Sequence, residues 1–480
     1  MARKKTLSKH SQNKWVILAL LALSFFMVVL DVTIVNVALP SLARELNFAP
    51  NNLQWVITAY SITFGGFLLL GGRMADLFGR RKIFMLSVSF FAAASLLCGL
   101  AQSELWLIIF RGLQGLAAAF MTPTALSIVL TEFSEGKERN KALGVWSAVT
   151  ASGAAVGVLL GGILTEYLGW RWNFFVNVPV GILVVLAALR LLPHHVGAAK
   201  RKIKLDQFGA LTATGGLMAL VFALSRAPVN GWGSPVVLGF LALSAVLGFI
   251  FLRDELKSDH PMLPLALFKD RNVSGGNSIA LIIAASMFAT FFFMTLYIQT
   301  ILGYSPIKAG VSFLIVPFVI AISAAISSQL VSKIGYKPLL IIGPIILASG
   351  LFINAQVLQV GGDYWHNVAP GLIVSAVGMG LSFVPLTLAA TSGVARQFSG
   401  LVSGVLNTAQ QVGGAIGLAV LSAVAASTTK QAISTGATVP QARVDGFHSG
   451  FYIGLGFALA AMVVALIVLQ NKKIKASVAA

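Results

Sequence analysis

From Trp15 to Leu469 the chain is a succession of apolar runs, each about twenty residues long and each cut from the next by a short polar or Pro/Gly-rich break. That is the length an α-helix needs to cross the ~30 Å hydrocarbon core of a bilayer. Within lipid, only helices and closed barrels satisfy their own backbone polar groups. Runs of this length, repeated end to end, predict an all-α membrane protein. Composition points the same way: 57% of the 480 residues are hydrophobic and only 10% are charged, against roughly 25% charged in soluble domains.

Cutting at the breaks gives fourteen predicted spans, at 15–39, 52–72, 83–101, 105–131, 142–165, 173–192, 208–226, 235–252, 273–301, 309–331, 339–360, 368–391, 401–427 and 449–470. The basic stretch from Met1 to Lys14 leads into a span longer than a secretory leader's apolar region and lacks a small-residue cleavage site after it, so it reads as a retained first helix.

Orientation follows from the 34 Lys and Arg, because short cytoplasmic loops accumulate positive charge. With Met1 placed in the cytoplasm, 27 fall in inside segments. Only Arg44, Arg171, Arg226, Lys308, Lys430 and Arg443 lie outside, and Arg111 remains within the fourth span. Both termini are therefore expected in the cytoplasm, in a multi-pass protein of the inner (plasma) membrane.

The net charge of +19 is accounted for by this asymmetry rather than by a nucleic acid partner. Membrane lipid is the expected neighbour. The loop Lys200-Arg201-Lys202-Ile203-Lys204 reads as a positive-inside signal, with contact to lipid headgroups as the alternative. Cys98 is the sole cysteine, which excludes disulfides and cysteine-built metal sites, and His194-His195 reads as loop. No metal or cofactor is expected. The phosphate-cradling pattern GxxxxGK[ST] is absent, as are HExxH and GxSxG, which argues against an ATP-driven pump and against these enzyme classes.

Two ionisable residues lie deep in spans, Asp31 and Arg111. Charge in hydrocarbon costs about 2.5 to 3.5 kcal/mol on insertion scales and normally faces a partner or a cavity. Asp31 precedes Leu39 by eight residues, and Arg111 follows Leu105 by six. At 1.5 Å per residue both sit about 9 to 12 Å below the outer boundary, so they can meet. A static ion pair joining spans 1 and 4 and a titratable site are both compatible with this placement.

Arg111, Gln114 and Gly115 share one helical face. Span 13 carries a polar stripe of Asn407, Gln410, Gln411 and Gly414, and span 9 aligns Met287, Thr290, Met294 and Tyr297. Interhelical hydrogen bonding explains such polar residues, and packing explains the Met and aromatic ones. Together they also describe a cavity of mixed polarity suited to an amphiphilic small molecule. Gly153, Gly157 and Gly161, with Gly162 beside them, clear one face of span 5 for close helix approach. The stretch from Gly72 to Lys82 holds Arg73, Asp76, Gly79, Arg80 and Arg81 in a predicted loop, with Gly79 suited to a left-handed turn. A second copy after span 10, from Gln329 to Lys337, keeps the six-residue step that separates Arg73 from Gly79. Internal repetition of this kind marks two-part transporters that alternate access.

Leu30 to Pro40, Gly72 to Lys82, Arg111 to Gly115 and Trp170 to Pro179 resemble, in this order, the motifs of the fourteen-helix drug:proton antiporters of the major facilitator superfamily. The resemblance implies a major facilitator fold of two six-helix lobes, 1–192 and 273–480, joined by a linker, 193–272, that carries two extra transmembrane helices. It implies that Asp31 is the proton-linked acid, that Arg111 tunes it, and that Gly72, Arg73, Asp76, Gly79, Arg80 and Arg81 form a cytoplasmic gate. Asn36, Gln114, Met287, Thr290, Met294, Tyr297, Asn407, Gln410 and Gln411 are the candidate substrate contacts. The expected activity is export of amphiphilic drugs in exchange for protons by a monomer. Metabolite uptake and flippase-like lipid handling are the alternatives. Where the antiporter pattern of span 5 carries a proline, this chain has Val158.

Overall fold

The computed structural model describes residues 2–49, 52–133, 137–192, 207–258, 261, 265–391 and 399–470. Among them the only regular structure is helical. The basic loop from Lys200 to Lys204, the pair His194-His195 and most of the proline-rich stretch from Pro261 to Pro264 lie outside the described residues, as do the side chains of Arg73 and Asp76.

The first half comprises α1 (Ala2–Glu45), α2 (Trp55–Phe78), α3 (Arg80–Gly99), α4 (Glu104–Glu132), α5 (Lys137–Tyr167), α6 (Trp172–Phe175) and α7 (Asn177–Leu191). A pair follows, α8 (Gln207–Asn230) and α9 (Pro235–Lys257). The second half comprises α10 (Arg271–Leu296), which passes into a π-helical turn at Tyr297–Ile301, then α11 (Pro306–Phe313), α12 (Ile315–Ile334) and α13 (Tyr336–Val357). It ends with α14 (Tyr364–Asn367), α15 (Ala369–Ala390), α16 (Ser399–Ser434) and α17 (Val439–Ile467). Twelve helices among the described residues are long and apolar enough to cross a membrane, and two shorter apolar stretches, Trp55–Leu68 and Ser152–Tyr167, lie within α2 and α5.

Two predicted continuous spans are broken, each four residues or fewer before a proline, although Pro40, Pro123, Pro344 and Pro385 lie inside helices that run on. Proline lacks the N–H that would bond the carbonyl four residues back. Pro179 has no N–H to donate to the Phe175 carbonyl, and the sixth span divides at Val176 into α6 and α7. Pro317 likewise has none for the Phe313 carbonyl, and the tenth divides at Leu314 into α11 and α12.

The predicted loop from Gly72 to Lys82 is corrected by the structure. Helix α2 runs to Phe78 and α3 begins at Arg80, so the connection is Gly79 alone, at φ 93°. A positive φ of this kind is cheap only for glycine, and it turns the chain within one residue. Gly335, at φ 82°, makes the same joint between α12 and α13. The repeat seen in the sequence is therefore a repeated helix junction.

Within the first half α2 packs on α4, α1 on α5, and α3 on α4 and α7. Within the second, α13 packs on α15 and α17, α10 on α16 and α17, and α12 on α15. The halves meet where α2 crosses α16, α5 meets α11, and α1 touches α10. Helix α8 lies against α2 and α16, whereas α9 leans chiefly on α8 and leaves Leu238, Leu243, Val246, Phe249 and Leu252 exposed. In lipid this exposure carries no hydrophobic penalty.

Candidate functional site

Five helices of the first half converge on one carboxylate. Gly115 sets the geometry: a Cβ there would lie 2.3 Å from the Tyr60 carbonyl oxygen, so only glycine lets α2 come this close to α4. That proximity puts the Val56 carbonyl 2.9 Å from Arg111 Nε, which donates to it. The guanidinium is then fixed with its other edge toward α1, where Arg111 Nη1 donates to Asp31 Oδ2 at 2.6 Å. Tyr60 covers one face of the guanidinium, 4.4 Å from Cζ to the ring centre, and Phe174 lies at 5.8 Å.

The second oxygen is held by amides. Asp31 Oδ1 accepts from Gln114 Nε2 at 2.7 Å and from Asn177 Nδ2 at 3.0 Å. Both amides also donate to Ser95 Oγ, each at 3.0 Å, and Gln114 Oε1 accepts from Arg111 Nη1 at 2.7 Å. Cys98 Sγ stands 3.8 Å from that same Gln114 oxygen. Asp31 is 0% exposed and Arg111 1%. A buried ion pair recovers its desolvation cost only when the remaining donors and acceptors are also satisfied. Here one carboxylate receives three donors from two other helices.

A second constellation joins the halves near the ends of helices predicted to face outward. Gln299 Nε2 donates to the Val37 carbonyl at 2.7 Å, and Glu166 Oε2 accepts from Ile307 N at 3.0 Å. A Cβ on Gly162 would fall 2.6 Å from the Pro306 oxygen, and one on Gly310 would fall 2.4 Å from the Val158 oxygen. Helices α5 and α11 thus touch backbone to backbone. Gly153, Gly157 and Gly161 face α1 instead, against Val29, Thr33 and Ile34. Helix α5 runs unbroken through Val158.

The family profile of the Major Facilitator Superfamily matches residues 21–418. The chain belongs to that superfamily. Among similar proteins, the puromycin resistance protein pur8 of Streptomyces alboniger is 39% identical over 94% of this chain and 90% of its own length. The cephamycin export protein CmcT of Amycolatopsis lactamdurans is 38% identical over 86% and 85%. The POT family transporter PepTSo shares the fold with a TM-score of 0.68 at 16% identity, covering 95% of this chain and 97% of its own. A bacterial homolog of the human lysosomal transporter Spinster, in an inward-facing and occupied conformation, does so at 0.65, 16% identity and 94% and 96% coverage.

In this facilitator the remaining candidates are scattered. Asn36 is half-buried on α1 and donates to the Val32 carbonyl of its own helix at 2.9 Å. Thr290 returns its hydroxyl to the Ser286 carbonyl. Met287 is half-buried, whereas Met294 and Tyr297 are fully buried in packing, with the Tyr297 hydroxyl donating to the Gln359 carbonyl at 2.8 Å. On α16, Asn407 is exposed and Gln410 and Gln411 are half-buried. Gln411 packs against Gly65 of α2, and Thr408 Oγ1 donates to the Gly65 carbonyl. Around Gly79, Arg80 Nη1 donates to Thr131 Oγ1, and Arg81 Nη2 donates to the Leu189 carbonyl at 2.7 Å. Gly72 sits 3.8 Å, measured from a built Cβ, from Pro123.

Sequence reasoning singled out Asp31, Arg111 and Gln114 but missed Ser95, Asn177 and Tyr60. Asn177 carried a signal, because Asn173 and Asn177 place two amides one turn apart at the start of an apolar run.

Proposed function

We propose that this facilitator exports amphiphilic small molecules across the inner membrane in exchange for protons, with Asp31 as the proton-linked group. The observation that carries the reading is the threefold hydrogen bonding of the buried Asp31 carboxylate by Arg111, Gln114 and Asn177. All three are donors, so each needs an acceptor. Protonation makes one Asp31 oxygen a donor itself, facing another N–H, and the network then has to rearrange. Proton occupancy thus weakens the contacts that hold α1, α4 and α7 in the observed packing. If a guest favours the ionised arrangement, linkage makes guest and proton compete. Relatives named for resistance to or export of antibiotics support export as the direction.

The two halves act in this reading as rocking lobes, 1–192 and 273–480, with α8 and α9 as the extra pair. The contacts of Gln299 with Val37 and of Glu166 with Ile307 seal the outer side, and the joint at Gly79 with Arg80 and Arg81 belongs to the cytoplasmic gate together with Gly72, Arg73 and Asp76. Helices α2 and α5, of 24 and 31 residues, span about 36 and 46 Å at 1.5 Å per residue. Counting both would bring the twelve spans to fourteen, an even number that puts both termini on one side, the cytoplasmic one by the distribution of Lys and Arg, as tags at Met1 and Ala480 would report.

The deciding experiment is dye movement in everted vesicles under an imposed pH gradient. The intact protein is expected to drive dye into the vesicles, and Asp31→Asn to stop that movement while dye binding persists. Gradient-driven movement at an unchanged rate in the variant would reduce Asp31 to an ion pair that joins helices.

A further inference from the structure

Between α3 and α7 runs a groove of about 270 Å³, lined by Ala92, Ala93 and Leu96 on one side and by Gly181, Ile182 and Val185 on the other. Its floor is narrow because a Cβ on Gly181 would lie 2.7 Å from that of Ala92. The walls open among exposed apolar side chains, Leu86 and Phe90 on α3 and Leu183 and Leu186 on α7. In a membrane-spanning protein a face of this kind meets acyl chains.

Beyond one end of the groove, on the same two helices, lie two cations. Lys82, Leu86, Ser89 and Ala93 recur at i, i+4, i+7 and i+11, which places Lys82 on the stripe of α3 that forms the groove wall. Arg190 follows the lining residue Leu186 by four on α7. Both cations are exposed, and the bond from Arg81 to the Leu189 carbonyl ties the two helix ends together between them. Neither α3 nor α7 contains an acidic residue. From Lys82 to Ser89 is about 10 Å along the helix axis, and from Arg190 to Leu186 about 6 Å. The groove continues to Leu96 and Val178, about 21 and 18 Å from the two cations; half of the hydrocarbon core is about 15 Å, so an acyl chain whose phosphate sits at the level of the cations fills the near part of the groove.

We infer that the seam between α3 and α7 is a binding site for one anionic phospholipid, with its chain in the groove and its phosphate held by Lys82 and Arg190. The leaflet is cytoplasmic if the topology proposed above holds. Juxtamembrane basic residues favour anionic over zwitterionic lipid. The far end of the groove, at Leu96 and Val178, adjoins Ser95 and Asn177 in sequence.

The test uses full-length protein in nanodiscs containing either phosphatidylglycerol or phosphatidylcholine with the same photoactivatable acyl chain, and maps the adducts by mass spectrometry. Phosphatidylglycerol is expected to label the segments 89–93 and 182–186 at least fivefold more than phosphatidylcholine. Lys82→Gln with Arg190→Gln should bring it down to the phosphatidylcholine level, and Ala93→Phe, which fills the groove, should lower both. Equal labelling by the two lipids, a preference that survives the double charge variant, or adducts spread evenly over the exposed face of α9 would each overturn the inference. Transport is not read, so the result stands apart from proton coupling, and a reversed topology would change the leaflet without changing the labelling.

Discussion

The Glu166 carboxylate, in the last turn of α5, accepts the backbone N–H of Ile307 in the first turn of α11, so one half of the protein caps a helix of the other. Such a cap satisfies one of the N–H groups that a helix start leaves without an intrahelical partner. Glu166→Ala should therefore loosen the outer seal. Spin labels at the exposed positions Leu168 and Val311, in a Cys98→Ala background, should report a population shifted toward longer separations. The shift is expected to be modest, roughly two- to threefold, because water and salt screen an exposed contact.

Two adjacent glycines should fail in different ways. Gly161 faces Ile34 within the first half, whereas Gly162 faces Pro306 and Ile307 of the second. Gly161→Val pushes α5 off α1 and should lower the thermal midpoint. Gly162→Val pushes the halves apart and should leave that midpoint nearly unchanged while lengthening the separation between labels at Leu168 and Val311. Equal thermal losses in the two variants would mean that the contact between halves is part of the folding core.

Arg111→Lys should abolish gradient-driven efflux although the charge is kept. The guanidinium reaches Val56, Asp31 and Gln114 from two edges of one plane, and a single ammonium on a flexible stem cannot. Arg111→Ala should cost more in stability, about 3 to 5 kcal/mol, because it leaves the buried carboxylate without its cation. Thermal unfolding in detergent ranks the three proteins, with alanine lowest.

At Tyr60 the ring is expected to matter and the hydroxyl to be dispensable. The ring covers the Arg111 guanidinium, while the hydroxyl is buried without a hydrogen-bond partner among the described residues. Tyr60→Phe should transport at close to the unmodified rate. Tyr60→Leu loses the cation–π contact, about 0.5 to 2 kcal/mol, and should slow efflux several-fold. A Phe variant as slow as the Leu variant would assign the hydroxyl a role in proton passage.

The pairing of Asp31 with Arg111 was legible because helix rise converts sequence offset into membrane depth, and two charges at equal depth in an apolar chain have few other partners. The amide shell was not. Gln114 shares a helix with Arg111, but Asn177 and Ser95 arrive from α7 and α3, and which helices adjoin α1 is decided by packing that no local pattern encodes. The joint at Gly79 misled for a related reason. Charge density made Arg73 to Lys82 look like a loop, yet Met74, Ala75 and Leu77 are strong helix formers, and one positive-φ glycine suffices to end one helix and start the next. Tyr297 was grouped with Met287, Thr290 and Met294 by α-helical periodicity, which ends at the π-helical turn that Tyr297 opens.

A joint one residue long has a mechanical meaning. With Gly79 as the whole connection between α2 and α3, and Gly335 between α12 and α13, there is no slack for one helix of a pair to travel while its neighbour stays behind. Each pair is pinned at one point while its arms pack chiefly on other helices, α2 and α3 on α4, α12 and α13 on α15, so the linked ends of the two arms have to move together even though the arms themselves are held by a third helix. The same economy fixes membrane position: the linked ends of the two arms share one depth, so neither span can slide along the bilayer normal without carrying the tip of the other.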